Sequence, residues 1–416
     1  MNQPTEWNEV GEYIISHAHL LAQYSEEPSM MMRTYLTPAH HAAAQQIAAW
    51  MQEAGMTIRR DAIGNIIGRY EAAVPGAPAL LTGSHFDTVR DGGIYDGMLG
   101  ILLPIACVAQ WHSAGRRFAH AIEVIGFAEE EGVRFKATLL GSRALAGTFD
   151  AGVLENEDDS GMTMRDAINS SGLGYTVDDL PGASYRHEQI LGFVEVHIEQ
   201  GPVLLNEDLP LGVVTAISGA TRLMVDVEGM SGHAGTVPMH LRQDAAMAAA
   251  EICLFIEQRY QNATNAVGTV GEFNIPNGAT NVVPGKTQFS IDIRAEGDVE
   301  RSTIVHDVLL KIEEVATRRN VRALVRKTHE AETVPCSVRL QKQLKAALEQ
   351  VGQPVRYLAS GAGHDAMAIA ALTDVAMLFV RCGNGGISHH PSETMTVQDA
   401  ALAAKVFARF VEHYHH

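Results

Sequence analysis

The sequence predicts an α/β protein: a mostly parallel sheet in a principal domain, interrupted by an inserted α+β domain of ferredoxin-like order. Three observations carry this. Apolar runs of strand length alternate with helical patterns over the first half, the arrangement of a sheet covered on both faces. The same alternation returns near the C-terminus. Between them, residues 214–328 read strand–helix–strand–strand–helix–strand, the ferredoxin-like order. The expected division is therefore 1–213 with 329–416 as one domain and 214–328 as the insertion.

The elements follow in order. TPAHHAAAQQIAAWMQE (37–53) is a helix, with Thr37 as cap, Pro38 in its first turn, Ile47 and Met51 four apart, and Gly55 closing it. IGNIIGRY and APALLTGSH read as strands, Gly100 to Trp111 as a long apolar helix, and AIEVIGFAEEEG and GFVEVHIEQ as further strands. In the insertion, RLMVDVEG (222–229) alternates like a half-buried strand and DAAMAAAEICLFIEQRY (244–260) is helical. AVGTVGEFNI and NVVP are extended, and the Pro284-Gly285 turn leads into KTQFSIDIR. VERSTIVHDVLLKIEEVATRR is the second helix and RALVRKTHE the last strand. VAMLFVR resumes the sheet, and Leu402, Val406 and Phe410 space a closing helix by four.

Composition narrows the function classes. The 416 residues are 46 % hydrophobic and 19 % charged, enough to build a core. A net charge of −18 argues against a broad nucleic-acid or anionic-membrane surface, which needs clustered cations. No apolar run reaches the roughly 18 residues of a membrane span, and the polar start MNQPTEWNEV does not read as a signal peptide. Four dispersed cysteines form no C-x-x-C, so reduced thiols and a cytoplasmic setting are expected.

Four strand-like runs end in metal-capable side chains. LLTGSHFDTVRDGGIYDG carries His85, Asp87 and Asp96; GFAEEEG carries Glu129, Glu130 and Glu131. VEVHIEQG carries Glu195, His197, Glu199 and Gln200, and LFVRCGNGGISHHPSE carries His389 and His390. Taken singly, each has an ordinary reading as a structural hydrogen bond, a solvated acidic loop, a core histidine or a turn. Together they can converge, because ligands in open α/β sheets bind beyond the carboxyl ends of the strands. Imidazoles with carboxylates suit a pair of Zn²⁺, Mn²⁺ or Co²⁺ ions, which about 3.5–4 Å apart polarise a carbonyl and acidify a shared water. The Glu130-Glu131 pair on an extended segment is expected to point two ways, one side chain to metal and one to the water. Asp87 is expected to orient the His85 imidazole through its other nitrogen.

In this order the motifs GSHFDTV, GGIYDG, FAEEEG, VEVHIEQG, SGHAGTVPM, TNVVPG, DIR, SGAGHDA and GISHHPSE resemble the M20 metallopeptidase-like amidohydrolases. The resemblance is to the branch of N-carbamoyl-L-amino-acid hydrolases, β-ureidopropionases and allantoate amidohydrolases, and spans the chain from about residue 30 onward. It implies a metallopeptidase-like catalytic domain holding two divalent ions, Zn²⁺ or alternatively Mn²⁺ or Co²⁺. The implied ligands are His85, Asp96, Glu131, His197 and His389, with Asp96 bridging, His85 and His197 on one ion, and Glu131 and His389 on the other. Glu130 is implied as general base and then acid. Gln200, His233, Asn281, Arg294 and His364 are implied as substrate contacts, with Arg294 clamping a carboxylate and His233 stabilising the oxyanion across a homodimer. The inserted domain is implied as lid and dimerisation surface.

The reaction implied is hydrolysis of a carbamoyl (ureido) C–N bond, releasing CO₂ and ammonia. Ala220-Thr221-Arg222 stands where the allantoate branch carries Gln and a basic residue, which favours an N-carbamoyl-L-amino acid over allantoate. Two other readings are an M20 aminopeptidase or N-acyl-amino-acid deacylase on the same metals, and a binding protein without catalysis. The presence of all five ligand candidates and Glu130 argues against the last.

Overall fold

A computed structural model describes residues 6–261 and 263–415. Its strands in chain order are Thr57–Arg60 (β1), Ile66–Tyr70 (β2), Ala79–His85 (β3), Ala121–Phe127 (β4), Ile190–Ile198 (β5) and Leu211–Ile217 (β6). There follow Gly219–Glu228 (β7), Gly232–His233 (β8), Ala266–Thr269 (β9), Phe273–Asn274 (β10), Val282–Val283 (β11) and Lys286–Ala295 (β12). The last are Arg322–Ala331 (β13), Val334–Pro335 (β14), Tyr357–Ser360 (β15) and Val375–Val380 (β16).

The chain divides into two compact units. The first holds Met1–Thr215, Cys336–Leu358 and Gly363–His416; the second holds Ala216–Pro335 and Ala359–Ala362.

The larger sheet runs β1-β2-β4-β3-β5-β16-β6, with β14 and β15 also paired to β6. The fold is α/β as expected, but the parallel character belongs to its centre. β4, β3, β5 and β16 pair in parallel, whereas β1, β2 and β6 join antiparallel. Burial explains the division. Every residue of β3, β4 and β16 is buried, as strands covered on both faces require, while outermost β1 alternates exposed and half-buried residues. The helix Pro38–Glu53 starts as the sequence indicates, with the Thr37 hydroxyl accepting from His40 N–H and Pro38 in its first turn. The apolar helix is Met98–Ser113, buried over almost its whole length.

The second unit is an antiparallel sheet packed on two helices. Its sheet runs β13-β7-β12-β9, all antiparallel, with β10 also on β12. Leu223, Val225 and Val227 of β7 and Phe289, Ile291 and Ile293 of β12 pack on Ile252 and Ile256 of the helix Ala245–Tyr260 and on Ile304, Val308 and Ile312 of the helix Asp298–Arg319. The period-2 pattern leaves Arg222, Met224, Asp292 and Arg294 on the opposite face. Among the described residues no helix is long and apolar enough to cross a membrane, and all four cysteines are unpaired.

Candidate metal centre

The four central parallel strands end along one edge of the sheet, and their C-terminal ends bring the candidate ligands together. His85 is the last residue of β3 and His197 lies next to the end of β5. Glu130 and Glu131 follow β4, and His389 sits in the loop after β16 with φ 53°. Asp96 precedes Gly97, the residue before the helix Met98–Ser113. Gly97 has φ +74°, and a Cβ there would stand 2.4 Å from the His85 carbonyl oxygen and 2.7 Å from its ring. Only glycine lets Asp96 approach His85 in this way.

Asp96 is the centre of the cluster. Its Oδ1 lies 3.3 Å from His197 Nε2 and 3.5 Å from His85 Nε2. Its Oδ2 lies 3.1 Å from His389 Nε2, which is 3.6 Å from Glu131 Oε1. Two ligand sets result, His85–Asp96–His197 and Asp96–Glu131–His389, each with donor atoms within 4.8 Å of one another. They share one carboxylate, one oxygen to each set.

Glu130 completes a further set with His85 and Glu131. Both glutamates lie beyond the end of β4 at Phe127, so the strand alternation expected to separate their side chains does not extend to them. The chain bends after β4 because Glu130 N–H and Glu131 N–H donate to the two Asp87 carboxylate oxygens, each at 3.0 Å. The strand alternation ends there. The Asp87 carboxylate thus anchors the glutamate loop, and His85 Nδ1 is closer to the Asp87 carbonyl oxygen (3.0 Å) than to its carboxylate (3.5 Å).

The electrostatics follow from this crowding. Burial pushes the Asp96 carboxyl up, but three imidazoles outweigh it and hold the group well below the ordinary range. Burial opposes charge on His85, yet Asp87 and Asp96 raise it well above its usual value. Asp96 lifts His389 to about 9. Burial and then Asp96 raise Glu131 to about 7, and burial and then Glu131 push Glu130 well up. Protons on the imidazoles balance the carboxylates where cations would do so when bound.

The residues fit a pair of divalent ions. Asp96 Oδ1 is buried without a hydrogen-bond partner, although two imidazoles face it. The donors are all nitrogen and oxygen, suited to Zn²⁺, Mn²⁺ or Co²⁺. His197 Nδ1 lies 2.9 Å from the Ile198 carbonyl oxygen, an arrangement that directs Nε2 towards Asp96.

Among the other expected residues, Gln200 (φ 57°) points its amide nitrogen at Asp96 Oδ2 (3.0 Å) and His389 Nε2 (3.3 Å). His364 is buried against the His197 ring at 4.5 Å, and burial, then the His197 charge, keeps it neutral. His233, Asn281 and Arg294 belong to the second unit. His233 pairs with Val282 across β8 and β11 and is exposed, and the Asn281 carbonyl oxygen accepts from Ala234 N–H. Arg294 forms a two-pronged pair with Asp292, both bonds 3.0 Å, and donates to the Gly361 carbonyl oxygen at 2.7 Å. Residues 292 and 294 share one face of β12, so an acidic partner inevitably lies beside the expected carboxylate clamp.

Residues 73–413 match the family described as Peptidase family M20/M25/M40. The chain belongs to this family. It is 40 % identical to an allantoate deiminase of Arabidopsis thaliana, over 96 % of this chain and 81 % of that one. It is 36 % identical to an N-carbamoyl-L-amino acid amidohydrolase of Geobacillus stearothermophilus, over 95 % and 96 %. A solved hydantoinase/carbamoylase family amidase from Burkholderia multivorans superposes with a TM-score of 0.90 at 28 % identity, covering 96 % of each chain.

Sequence reasoning passed over one residue that this M20 chain packs around its site, Glu393, and gave no role to another, Glu195. Glu393 is buried and accepts from Tyr95 N–H, Asp96 N–H and the Ser388 hydroxyl. Glu195, fully buried, accepts from the Ser84 hydroxyl at 2.7 Å and Ala366 N–H at 3.0 Å. The available signal for Glu393 was its place in HHPSE, three residues past the second histidine. Nothing local distinguished it from a solvated turn residue.

Proposed function

We propose that the protein is a binuclear metal-dependent amidohydrolase that cleaves the carbamoyl C–N bond of an N-carbamoyl-L-amino acid or related ureido acid. The observation that carries this reading is the single Asp96 carboxylate shared by two ligand sets, in a chain whose relatives include carbamoyl hydrolases and an allantoate deiminase. His85 and His197 would hold one ion with Asp96, and Glu131 and His389 would hold the other. Such ions, Zn²⁺ or else Mn²⁺ or Co²⁺, would supply Lewis acidity and lower the pKa of water.

The chain's own residues do the rest. Glu130 takes a proton from the attacking water and returns it to the leaving nitrogen. The carbamoyl carbon loses its bond to the amino-acid nitrogen, and the carbamate released decomposes to CO₂ and ammonia. His233 donates to the oxygen that becomes negative, reaching the site across a homodimer. Arg294, oriented by Asp292, takes the substrate carboxylate with its remaining donors. Gln200, Asn281 and His364 contact the substrate. The inserted unit serves as lid and as dimer surface, the latter supported by exposed Met247, Leu254, Val267 and Phe273 on its helix and edge strands. Four free thiols support a cytoplasmic setting.

Allantoate is the second reading, favoured by the 40 % identity to an allantoate deiminase. The carbamoyl amino acid comes first because Ala220 and Thr221 are buried and Arg222 is paired with Asp292 at 3.0 Å. A second ureido group finds little polar surface in that segment.

An ammonia-release screen decides among them. Turnover of carbamoyl amino acids above ureidopropionate and allantoate is expected, and hydrolysis of dipeptides or N-acetyl amino acids without ammonia from any ureide overturns the proposal. Arg294→Ala is expected to raise KM far more for a carboxylate substrate than for its amide, read from paired steady-state kinetics. An equal rise on both removes Arg294 from the clamp role.

A further inference from the structure

We propose that Glu393 is a positioning residue that sets the direction of one hydroxyl hydrogen, that of Ser388, and thereby keeps Asp96 Oδ2 free to hold a cation. Glu393 Oε1 accepts from Tyr95 N–H at 2.9 Å and from Asp96 N–H at 3.2 Å. Its Oε2 lies 2.8 Å from Ser388 Oγ. The same Oγ lies 3.2 Å from Asp96 Oδ2. Serine has one hydrogen for these two acceptors.

Both acceptors are carboxylates, so it is the shorter contact that places that hydrogen on Glu393. It therefore points away from Asp96. This matters because Oδ2 already faces His389 Nε2 at 3.1 Å and Gln200 Nε2 at 3.0 Å. A further donor there would compete with a cation for the oxygen's lone pairs. Room for Glu393 depends on Gly93, where a Cβ would stand 2.1 Å from Glu393 Oε1.

The arrangement makes an asymmetric prediction. In Glu393→Gln the amide oxygen must face the two backbone N–H groups, which leaves its NH₂ against Ser388. The amide then donates to Ser388 Oγ, and the hydroxyl hydrogen turns to Asp96 Oδ2. A substitution that conserves shape thus reverses the polarity of one hydrogen bond at the ligand. The same oxygen stays buried, but it gains a donor where a cation should sit.

The inference rests on the proposed paired-cation reading, and the test separates the two. Chelated protein is titrated with Zn²⁺ against a competing chelator and with Co²⁺ by its visible absorption, for wild type, Glu393→Gln, Ser388→Ala and the double variant. Glu393→Gln is expected to bind one of two cations about 10–100-fold more weakly, the range for partners that orient metal ligands. Ser388→Ala is expected to bind like wild type, and adding it to Glu393→Gln is expected to restore most of the affinity.

A double variant as weak as Glu393→Gln overturns the inference, because Glu393 would then act only by bracing its loop. So does wild-type affinity in Glu393→Gln. Should Glu393→Gln fail to fold, Ser388→Ala decides alone: a several-fold gain in affinity would show that the hydroxyl already donates to Asp96. Failure of the wild type to bind any cation would remove the metal reading itself.

Discussion

Glu130→Gln is expected to lower kcat by about two to four orders of magnitude, the usual contribution of a positioned general base, with both cations still bound. Glu130 stands with His85 and Glu131 within 4.8 Å, and its backbone N–H is tied to Asp87 at 3.0 Å, so the substitution leaves the loop in place. The amide keeps the shape and loses the ability to take a proton. Glu131, not Glu130, lies beside His389 and Asp96 in the second ligand set, so metal content should survive. Steady-state kinetics with metal analysis on the same preparation reads both quantities. Full activity in Glu130→Gln assigns the base elsewhere; loss of a cation together with activity makes Glu130 a ligand instead.

Chelation is expected to abolish turnover, with Zn²⁺, Mn²⁺ or Co²⁺ restoring it in the wild type but not in Asp96→Ala. No other residue in the cluster contributes to both ligand sets, so removing this carboxylate weakens two sites at once. The sign of the pH dependence follows from the metal-free protein. His389 titrates at about 9 and Glu131 at about 7, so a cation must displace protons from both below those values. Affinity should rise with pH through the interval from 7 to 9 and fall as pH drops. Thermal unfolding supplies an independent readout, since a ligand at a hundred times its Kd stabilises the native state by about 2.7 kcal/mol. Restored activity in Asp96→Ala, or pH-independent binding, contradicts the assignment.

Much of this fold was legible because its signals are local. Thr37, Pro38 and the spacing of Ile47 and Met51 define a helix by capping and period, and the structure places it at Pro38–Glu53. The alternation in RLMVDVEG belongs to a strand with one face covered, and β7 has that face. The antiparallel flanks of the larger sheet were harder. The β1 and β2 runs are short, and pairing direction depends on connection geometry, which residue types do not encode.

At the site, the ligand types were readable and some of their arrangement was not. The Glu130-Glu131 reading relied on strand alternation, which stops where Asp87 captures two backbone N–H groups from forty-odd positions away. Arg294 was readable as a cation fork, but its pairing with Asp292 follows from their shared face of β12. Glu393 gave little signal because its importance comes from contacts to Tyr95 and Asp96, nearly 300 positions distant.

By itself, then, the sequence determined the class of fold and the nitrogen–oxygen donor inventory, since short-range period, capping and side-chain chemistry express these without help from distant residues. The tertiary structure alone decided that Asp87 ties down the two glutamates after β4, and that a buried glutamate and Asp96 face the same serine hydroxyl. Those facts depend on the register of parallel strands whose ends meet only after the chain has folded, and on ångström differences between alternative acceptors.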